Sequence, residues 1–315
     1  MKVSLTACWL SLLLLLSQLI VAPANAETFY VEGHGGVPLA VTVTGPEDGP
    51  EILFLHGIGM GAESFAPQMQ SELAQRYRMV AFDLRGHGMS GKPHEAEAYT
   101  PREVWAEDVS RVMKATGLRR PVIVAWSYGT LVTADYFFLT QNNTVSGVVM
   151  VGAHGGIAPP SAPADPPDPQ VMEQMARYYA LRSSPALADQ RQSIELLAPY
   201  LYEITEDGPS DDWKESARIL GLLVPPYAQP HLRAHPMDNA ALAPLLSHIP
   251  VLLVHGTKDF AVNPADVVAA KEAIPHLQVK TFVDAGHSPF AERPDAFNAM
   301  LAEFVDAAQS KHHDH

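Results

Sequence analysis

The amino-acid sequence predicts an α/β protein with a doubly wound, mostly parallel sheet of eight strands and a long helical insertion. Short apolar runs rich in valine, leucine and isoleucine alternate with stretches whose apolar residues recur at helical spacing. Such alternation produces parallel strands with helices packed on the sheet. The alternation stops after Gly152 and resumes only at Val251, so a different kind of structure is expected between these two points.

Each element of the predicted core follows from a local pattern. The first two strands are edge strands, and the turn residues Gly45 to Pro50 lead into the third. The predicted strands span residues 28–31, 39–43, 51–55, 78–82, 122–126, 146–152, 251–256 and 279–283. The predicted core helices span residues 64–76, 101–116, 130–136 and 294–308, and Thr100 is the expected N-cap of the second.

The insertion has its own pattern. A proline-rich stretch over residues 159–169 predicts a stiff linker. Helical patterns follow at residues 170–182, 185–202 and 211–223. Disorder is the alternative, but the many large apolar and aromatic side chains in these helices argue against it. We therefore expect a helical segment over residues 154–245, core parts at 27–153 and 246–309, and a frayed tail at 310–315.

Residues 1–26 predict a secretory signal peptide. Lys2 is their only charged residue, an apolar stretch runs from Leu10 to Val21, and Ala24-Asn25-Ala26 has the small residues of a cleavage site. An uncleaved membrane anchor is the alternative, but the apolar run is shorter than the ~20 residues that a span needs. We expect cleavage after Ala26 and a secreted or periplasmic protein without stable membrane insertion.

Charge and cysteine content limit the possible partners. The chain has 21 basic and 35 acidic residues, with a formal net charge of −14, so its surface repels nucleic acid and anionic lipid. The one cysteine, Cys8, lies in the predicted signal peptide, so no disulfide is expected in the mature protein. We expect a small-molecule substrate and no nucleic-acid partner, and the oligomeric state stays open.

The most informative motif surrounds Ser127. The segment Ala125-Trp126-Ser127-Tyr128-Gly129 joins the strand at 122–126 to a helical stretch, which is the arrangement of a nucleophile elbow. The tight turn forces the serine into a strained conformation with its hydroxyl exposed. Small residues on both sides let helix and strand approach closely. The first small position is usually Gly and is Ala125 here, which is one methyl group larger.

Two further candidate residues follow later strands. Asp259 comes just after the strand at 251–256, and His287 comes just after the strand at 279–283. The order Ser127, Asp259, His287, each past the end of a strand, is what a Ser-His-Asp triad on an open parallel sheet requires. His287 would accept the serine proton and Asp259 would orient His287. Asp284 is the alternative acid, but the intervening turn should point it away.

With these residues identified, the chain after residue 26 resembles the α/β-hydrolases. Residues 52–59, which end in His56-Gly57-Ile58-Gly59, are similar to the oxyanion-hole loop of that family, and residues 83–90 are similar to its turn after the fourth strand. The resemblance implies that the backbone N–H groups of Ile58 and Tyr128 form the oxyanion hole. It also implies that the helical insertion is a cap over the site.

The resemblance implies an activity as well. Dehalogenases and epoxide hydrolases of this fold use aspartate at the elbow, so a serine there disfavours both. We expect an exported serine hydrolase of small or medium carboxylic esters that acts through an acyl-enzyme, with no cofactor and no metal. Carbon–carbon bond hydrolases and cofactor-free haloperoxidase- or perhydrolase-like members share the triad and stay open. A non-catalytic ligand-binding protein on this fold is the alternative of another class, although no triad member is missing.

Several other polar or aromatic residues receive expected roles. We expect His56 and His87 to lie in supporting turns, and Asp83 and Arg85 to form a pair that stabilises a turn. His154 could face the pocket. The spacing of His231 and His235 suits two metal ligands on a helix, but the flanking prolines argue against a metal site. Cap residues near Tyr178 and Trp213 are expected to set the preference for acyl and alcohol groups.

Overall fold

The computed structural model describes residues 26–141, 144–158, 169–202, 208–262 and 264–310. The predicted signal peptide up to residue 25, the proline-rich linker up to residue 168 and the tail after residue 310 lie outside these ranges. Within the described part of the chain, no helix is both long and apolar enough to cross a membrane.

The strands form one eight-stranded sheet. They are β1 (Glu27–Glu32), β2 (Pro38–Thr44), β3 (Glu51–Leu55), β4 (Arg78–Phe82), β5 (Val122–Trp126), β6 (Gly147–Val151), β7 (Val251–Gly256) and β8 (Gln278–Phe282). Their order is β1-β2-β4-β3-β5-β6-β7-β8. The pairs β1 with β2 and β2 with β4 are antiparallel, and the other five pairs are parallel. The predicted mostly parallel sheet is therefore confirmed.

Eleven α-helices connect and cover these strands in the described ranges. They are α1 (Ala66–Met69), α2 (Arg102–Thr116), α3 (Tyr128–Thr140), α4 (Pro169–Arg182), α5 (Leu187–Leu201), α6 (Asp211–Leu223), α7 (Gln229–Arg233), α8 (Leu242–Leu245), α9 (Pro264–Ala273), α10 (Pro289–Glu292) and α11 (Pro294–Ser310). Helices α4 to α8 lie between β6 and β7, where the alternation of the sequence breaks. Short 3₁₀ turns occur at His34–Gly36, Ala62–Phe65, Glu72–Gln75, Ala96–Ala98 and Pro226–Ala228.

The central strands of the sheet are buried on both faces, and their successive residues alternate between two apolar clusters. Leu53 and Leu55 of β3 belong to a cluster that contains the apolar residues of α2 and α3, while Ile52 and Phe54 belong to a second cluster with those of α11. Strands covered on both faces need apolar side chains at every position. This explains why the central strands appear in the sequence as continuous apolar runs.

The structure corrects two details of the predicted helices. The single helix expected over residues 64–76 is broken into a 3₁₀ turn, the short α1 and a second 3₁₀ turn. Ser71 causes the second break, because its hydroxyl accepts the Leu73 N–H and so offers the backbone an alternative to the helix. Thr100 does not cap α2: its hydroxyl donates to the carbonyl of Ala96, and Pro101 occupies the cap position.

The order of the strands determines where a ligand can bind. From the central β3 the chain adds β4 on one side and then β5 on the other, so the connections leave in opposite directions. In open α/β sheets, a crevice forms at such a switch, at the carboxyl ends of the strands. The loop after β3 and the turn after β5 lie at this crevice.

Candidate active site

The candidate residues all follow the carboxyl ends of parallel strands. Ile58 comes after β3, Ser127 after β5, Asp259 after β7 and His287 after β8. Because parallel strands end at the same edge of a sheet, residues that are far apart in sequence meet there. Ser127 and His287 both line one small cavity, and Ile58 lines it as well.

Ser127 has the strained backbone of a nucleophile elbow. Its φ and ψ are 51° and −113°, a region that costs a non-glycine residue on the order of 1–3 kcal/mol. Three hydrogen bonds hold it: its N–H donates to Val151 O at 2.8 Å, and its carbonyl accepts from the N–H and the hydroxyl of Thr130 at 2.9 and 2.6 Å. The strain therefore persists because the surrounding structure fixes both sides of the peptide.

Small side chains are needed around Ser127 for steric reasons. A Cβ at Gly129 would overlap the carbonyl of Leu55 in the neighbouring strand. A Cβ at Gly57 would lie 3.3 Å from the Cβ of Ser127, which is tighter than usual contact. Ala125 is fully buried in the apolar cluster of α2 and α3, so its extra methyl group packs without disturbing the turn.

His287 and Asp259 form a buried pair. Nδ1 of His287 donates to Oδ1 of Asp259 at 2.9 Å, and the two side chains are 4% and 0% exposed. Oδ1 also accepts the Ala261 N–H at 2.8 Å, whereas Oδ2 is buried and has no hydrogen bond to any described residue. The Trp126 indole donates to the His287 carbonyl at 2.9 Å. With Nδ1 engaged by the carboxylate, Nε2 is the ring nitrogen left for proton transfer.

Among the described residues, Ser127 and His287 face the same cavity without a direct hydrogen bond between them. Hydrogen bonds between a nucleophile and its base are often long before substrate binds, and they tighten in the complex. The arrangement thus contains an oriented histidine and a half-buried, strained serine at one cavity.

The backbone N–H groups of Ile58 and Tyr128 are the expected oxyanion donors: Ile58 lines the small cavity with Ser127, and Tyr128 directly follows Ser127. Tyr128 is the first residue of α3, and the first N–H groups of a helix have no acceptor within the helix. In the described part of the chain neither amide has another acceptor. Gly59 has a φ of 77°, and the Met60 N–H closes the turn on Gly57 O at 3.2 Å. Two donors, one at the positive end of a helix dipole, are therefore available to a developing oxyanion.

His56 and His87 are buried in the turns beside the site. Nδ1 of His56 donates to Gly57 O at 2.8 Å and Nε2 accepts from the Leu84 N–H at 2.9 Å, so the ring is neutral with its proton on Nδ1. Burial lowers the pKa of His56 to about 4. Burial, with the neighbouring His56, lowers the pKa of His87 to about 3. The structure thus gives both residues the supporting positions that the sequence predicts.

The predicted pairing of Asp83 with Arg85 is wrong. Asp83 accepts from the N–H groups of Ala62 and Met89, both at 2.7 Å. Arg85 instead forms a buried pair with Asp108 of α2 at 2.7 Å. The chain turns sharply between the two residues, so their side chains diverge: Asp83 organises the turn, and Arg85 joins it to a helix.

Two cavities meet at Ser127. The larger, of about 470 Å³, is mainly apolar and includes Leu131, Leu232 and Met237. The smaller, of about 130 Å³, is lined by His287 and by side chains that include Trp126 and Phe260. Residues of α4 and α7 line both cavities, so segments between β6 and β7 help to form the site.

Of the two residues expected to set substrate preference, one lines a cavity at Ser127 and the other does not. Tyr178 lines the smaller cavity. Trp213 does not reach either cavity at Ser127: its indole donates to Ser64 O at 2.8 Å and its ring packs against Phe290. Helix α6 buries its apolar face against the core, which carries Trp213 away from the site. The expectation for Trp213 is therefore wrong.

The remaining histidines have distinct environments. His154 lines the larger cavity, and burial lowers its pKa. His231 stacks on Tyr99 with ring centroids 6.0 Å apart. His235 is buried beside Tyr128 and Asp135, an arrangement that no sequence pattern indicates because these residues lie far apart in the chain. Across the described ranges, no three His, Cys, Asp or Glu side chains are grouped to hold a metal ion.

The chain is similar to known proteins in sequence and in fold. The profile of the Alpha/beta hydrolase family matches residues 52–300. A non-heme chloroperoxidase from Streptomyces lividans is 27% identical over 83% of this chain and 93% of that protein. The crystal structure of a proposed aryl esterase from Burkholderia cenocepacia superposes with a TM-score of 0.78 at 29% identity, over 90% of this chain and all of that one. The esterase RhEst1 from Rhodococcus sp. ECU1013 has a TM-score of 0.77 at 26% identity, over 89% and 99% of the two chains.

Proposed function

The chain belongs to the α/β-hydrolase family as an esterase-like enzyme, and we propose that it cleaves small or medium carboxylic esters through an acyl-enzyme on Ser127. The observation that carries the proposal is the buried His287–Asp259 hydrogen bond of 2.9 Å at the cavity that Ser127 also lines. A serine hydroxyl is a weak nucleophile at neutral pH and needs such an oriented base.

In the proposed reaction, Ser127 Oγ attacks the ester carbonyl carbon while its proton passes to Nε2 of His287. The N–H groups of Ile58 and Tyr128 stabilise the negative oxygen of the tetrahedral intermediate, and losing one such donor typically costs ~3 kcal/mol. The intermediate then expels the alcohol, which takes the proton from His287. Water, activated by the same histidine, attacks the acyl-enzyme and releases the carboxylic acid and Ser127.

The two cavities support an orientation for the ester. The leaving oxygen must take its proton from His287, which lines the smaller cavity and is absent from the lining of the larger. The alcohol portion therefore belongs on the side of Trp126, Tyr178 and Phe260, and the acyl portion belongs in the apolar cavity of about 470 Å³. An aromatic alcohol suits the ring-lined side.

A second candidate reaction is perhydrolysis, because the chloroperoxidase from Streptomyces lividans is 27% identical to this chain. Hydrogen peroxide in place of water would attack the same acyl-enzyme, giving a peracid and free Ser127. We also propose that the protein is exported after cleavage at Ala26, as the leader sequence suggests. The helical segment at 154–245 is proposed to act as a cap.

A panel of p-nitrophenyl esters of increasing acyl length tests the proposal. We expect turnover of short and medium esters, a pre-steady-state burst of p-nitrophenol where deacylation is slow, and no burst in Ser127→Ala. Peracid formation with acetate and hydrogen peroxide is measured in parallel. If Ser127→Ala hydrolyses the esters as fast as the wild type, the proposed nucleophile is wrong.

A further inference from the structure

A buried network of polar side chains lies behind the proposed oxyanion hole, and the mechanism above does not use it. The hydroxyl of Tyr128 shares a hydrogen bond of 2.9 Å with Nδ1 of His235. Nε2 of His235 lies 2.8 Å from Oδ2 of Asp135, and Arg102 Nη1 donates to Oδ1 of Asp135 at 2.7 Å. The chain of contacts therefore runs from an ion pair to the residue that follows Ser127.

Burial makes this network costly to break. The side chains of His235 and Asp135 are 2% and 0% exposed, and Tyr128 is 6% exposed. A buried carboxylate is tolerated only when charged or donating groups satisfy it, and removing one partner is strongly destabilising. Arg102 of α2 donates to Oδ1 of Asp135, and His235, in the stretch after α7, lies 2.8 Å from Oδ2, although neither Oδ2 nor Nε2 of His235 has a hydrogen bond among the described residues.

The proton of the Tyr128 hydroxyl can be assigned from its surroundings. Nε2 of His235 lies beside the Asp135 carboxylate, and Nδ1 lies beside the Tyr128 hydroxyl. Burial raises the pKa of Tyr128 well above 10, so its hydroxyl stays protonated. The hydroxyl therefore has a hydrogen to share with Nδ1 of His235, 2.9 Å away.

The ring of Tyr128 is also held by aromatic contacts. It meets His235 edge to face at 5.1 Å between centroids and Trp105 at 5.5 Å. Tyrosine has only two side-chain torsions between its Cα and its ring. When the ring and the hydroxyl oxygen are both held, the position of the Cα, and with it that of the backbone N–H, is restricted as well. A rotation of the first turn of α3 would break these contacts.

The segment that carries His235 is itself anchored to the core. The N–H of Asn239 donates to Gly156 O and its side-chain amide to Gly155 O, both at 2.8 Å. Arg102 donates to Asp238 O at 3.4 Å. Hydrogen bonds thus hold the segment after α7 to the core close to the point where it contacts Tyr128.

We propose that His235, which lies against Asp135, is a positioning residue that locks Tyr128 so that its backbone N–H stays directed at the oxyanion. This inference rests on the proposed function, because it assigns a role to the same oxyanion hole. The first turn of α3 follows a serine in a strained conformation, with φ of 51°, that relaxes unless its neighbours are fixed. A misplacement of about 1 Å in a reacting group can lower a rate by ~10²-fold.

Tyr128→Phe is the decisive variant, because it removes one oxygen and leaves the pair of His235 with Asp135 intact. We expect kcat for p-nitrophenyl acetate to fall at least tenfold while KM changes less than twofold. Affinity for a trifluoromethyl ketone, which forms a tetrahedral adduct with the serine, should fall in proportion to kcat/KM. Tyr136→Phe is the matched control: it removes a partly buried hydroxyl bonded to Thr144, about two turns further along α3, and should leave kcat unchanged.

A double-mutant cycle with His235→Phe tests the route of the effect. If the hydroxyl acts through His235, the double variant should be no slower than the slower single variant, and additive losses would refute the coupling. Wild-type kcat and ketone affinity in a folded Tyr128→Phe would overturn the positioning role while leaving the esterase proposal intact. A wild-type protein that neither hydrolyses the esters nor binds the ketone would overturn both.

Discussion

Replacing Asp259 by Asn separates the charge of the proposed triad acid from its orienting role. Oδ1 of Asp259 accepts from both His287 Nδ1 and the Ala261 N–H. Because the Ala261 N–H can only donate, it holds the oxygen of an asparagine at the Oδ1 position, and the amide nitrogen takes the place of Oδ2. We therefore expect the variant to keep the His287 tautomer and to lose only the negative charge.

The size of the effect follows from that charge. Two unit charges about 4 Å apart interact by roughly 4 kcal/mol at an effective dielectric constant of about 20. His287 is charged during the reaction and neutral before it, so the loss falls on the barrier, where each 1.36 kcal/mol is about tenfold in rate. We expect kcat/KM to fall by about 10³, below the ~10⁴ seen when a triad histidine also adopts the wrong tautomer. The buried amide nitrogen at the Oδ2 site should also cost about 1–3 kcal/mol of stability.

The assay is kcat/KM for p-nitrophenyl acetate, with circular dichroism to verify folding. Asp284→Asn is the matched control, because Asp284 is exposed and its φ of 55° is readily adopted by asparagine. Because Asp284 is exposed, this variant should retain activity within about twofold of the wild type. A folded Asp259→Asn within tenfold of wild type, or a larger loss in Asp284→Asn, would refute the assignment of the acid.

Three further predictions concern stability, selectivity and export. Burial lowers the pKa of His56 to about 4 and of His87 to about 3. Because both histidines take up a proton at higher pH in the unfolded chain, each should lower the free energy of unfolding by roughly 3 kcal/mol as the pH falls from 6.5 to 4. Urea unfolding at pH 7 and 4.5 measures this, and equal stability at both would contradict it. Tyr178→Ala should reorder kcat/KM across the ester series, whereas Trp213→Phe should lower the melting temperature and leave the ranking unchanged; the reverse pattern would show that the cavity linings are misassigned. The exported protein should begin at Glu27 by intact mass, and retention of Met1 would exclude cleavage.

The sequence predicted the sheet well because its signals are local. Each central strand is a continuous apolar run, and each is buried on both faces, so composition and position agree. The region of residues 64–76 was predicted less well, since a single hydroxyl, that of Ser71, competes with the helix. Helical spacing alone does not report such a local hydrogen bond.

The candidate site was predictable to the extent that its residues follow strands. Ser127, Asp259 and His287 could be named from their positions, and the parallel topology brings them to one edge. The contact of Tyr128 with His235 joins residues 107 positions apart and follows no periodic pattern. Trp213 lies away from the cavity because of the way α6 packs on the core. Both are decided by tertiary packing, which no single segment encodes.

Fluorophosphonate labelling followed by peptide mass spectrometry tests the central claim most directly, because the reagent traps an activated serine. We predict one adduct per chain, on the peptide that contains Ser127, with loss of ester hydrolysis in step with labelling and much slower labelling of His287→Gln. An adduct on another residue, or full ester hydrolysis after Ser127 has been labelled, would contradict the proposed mechanism.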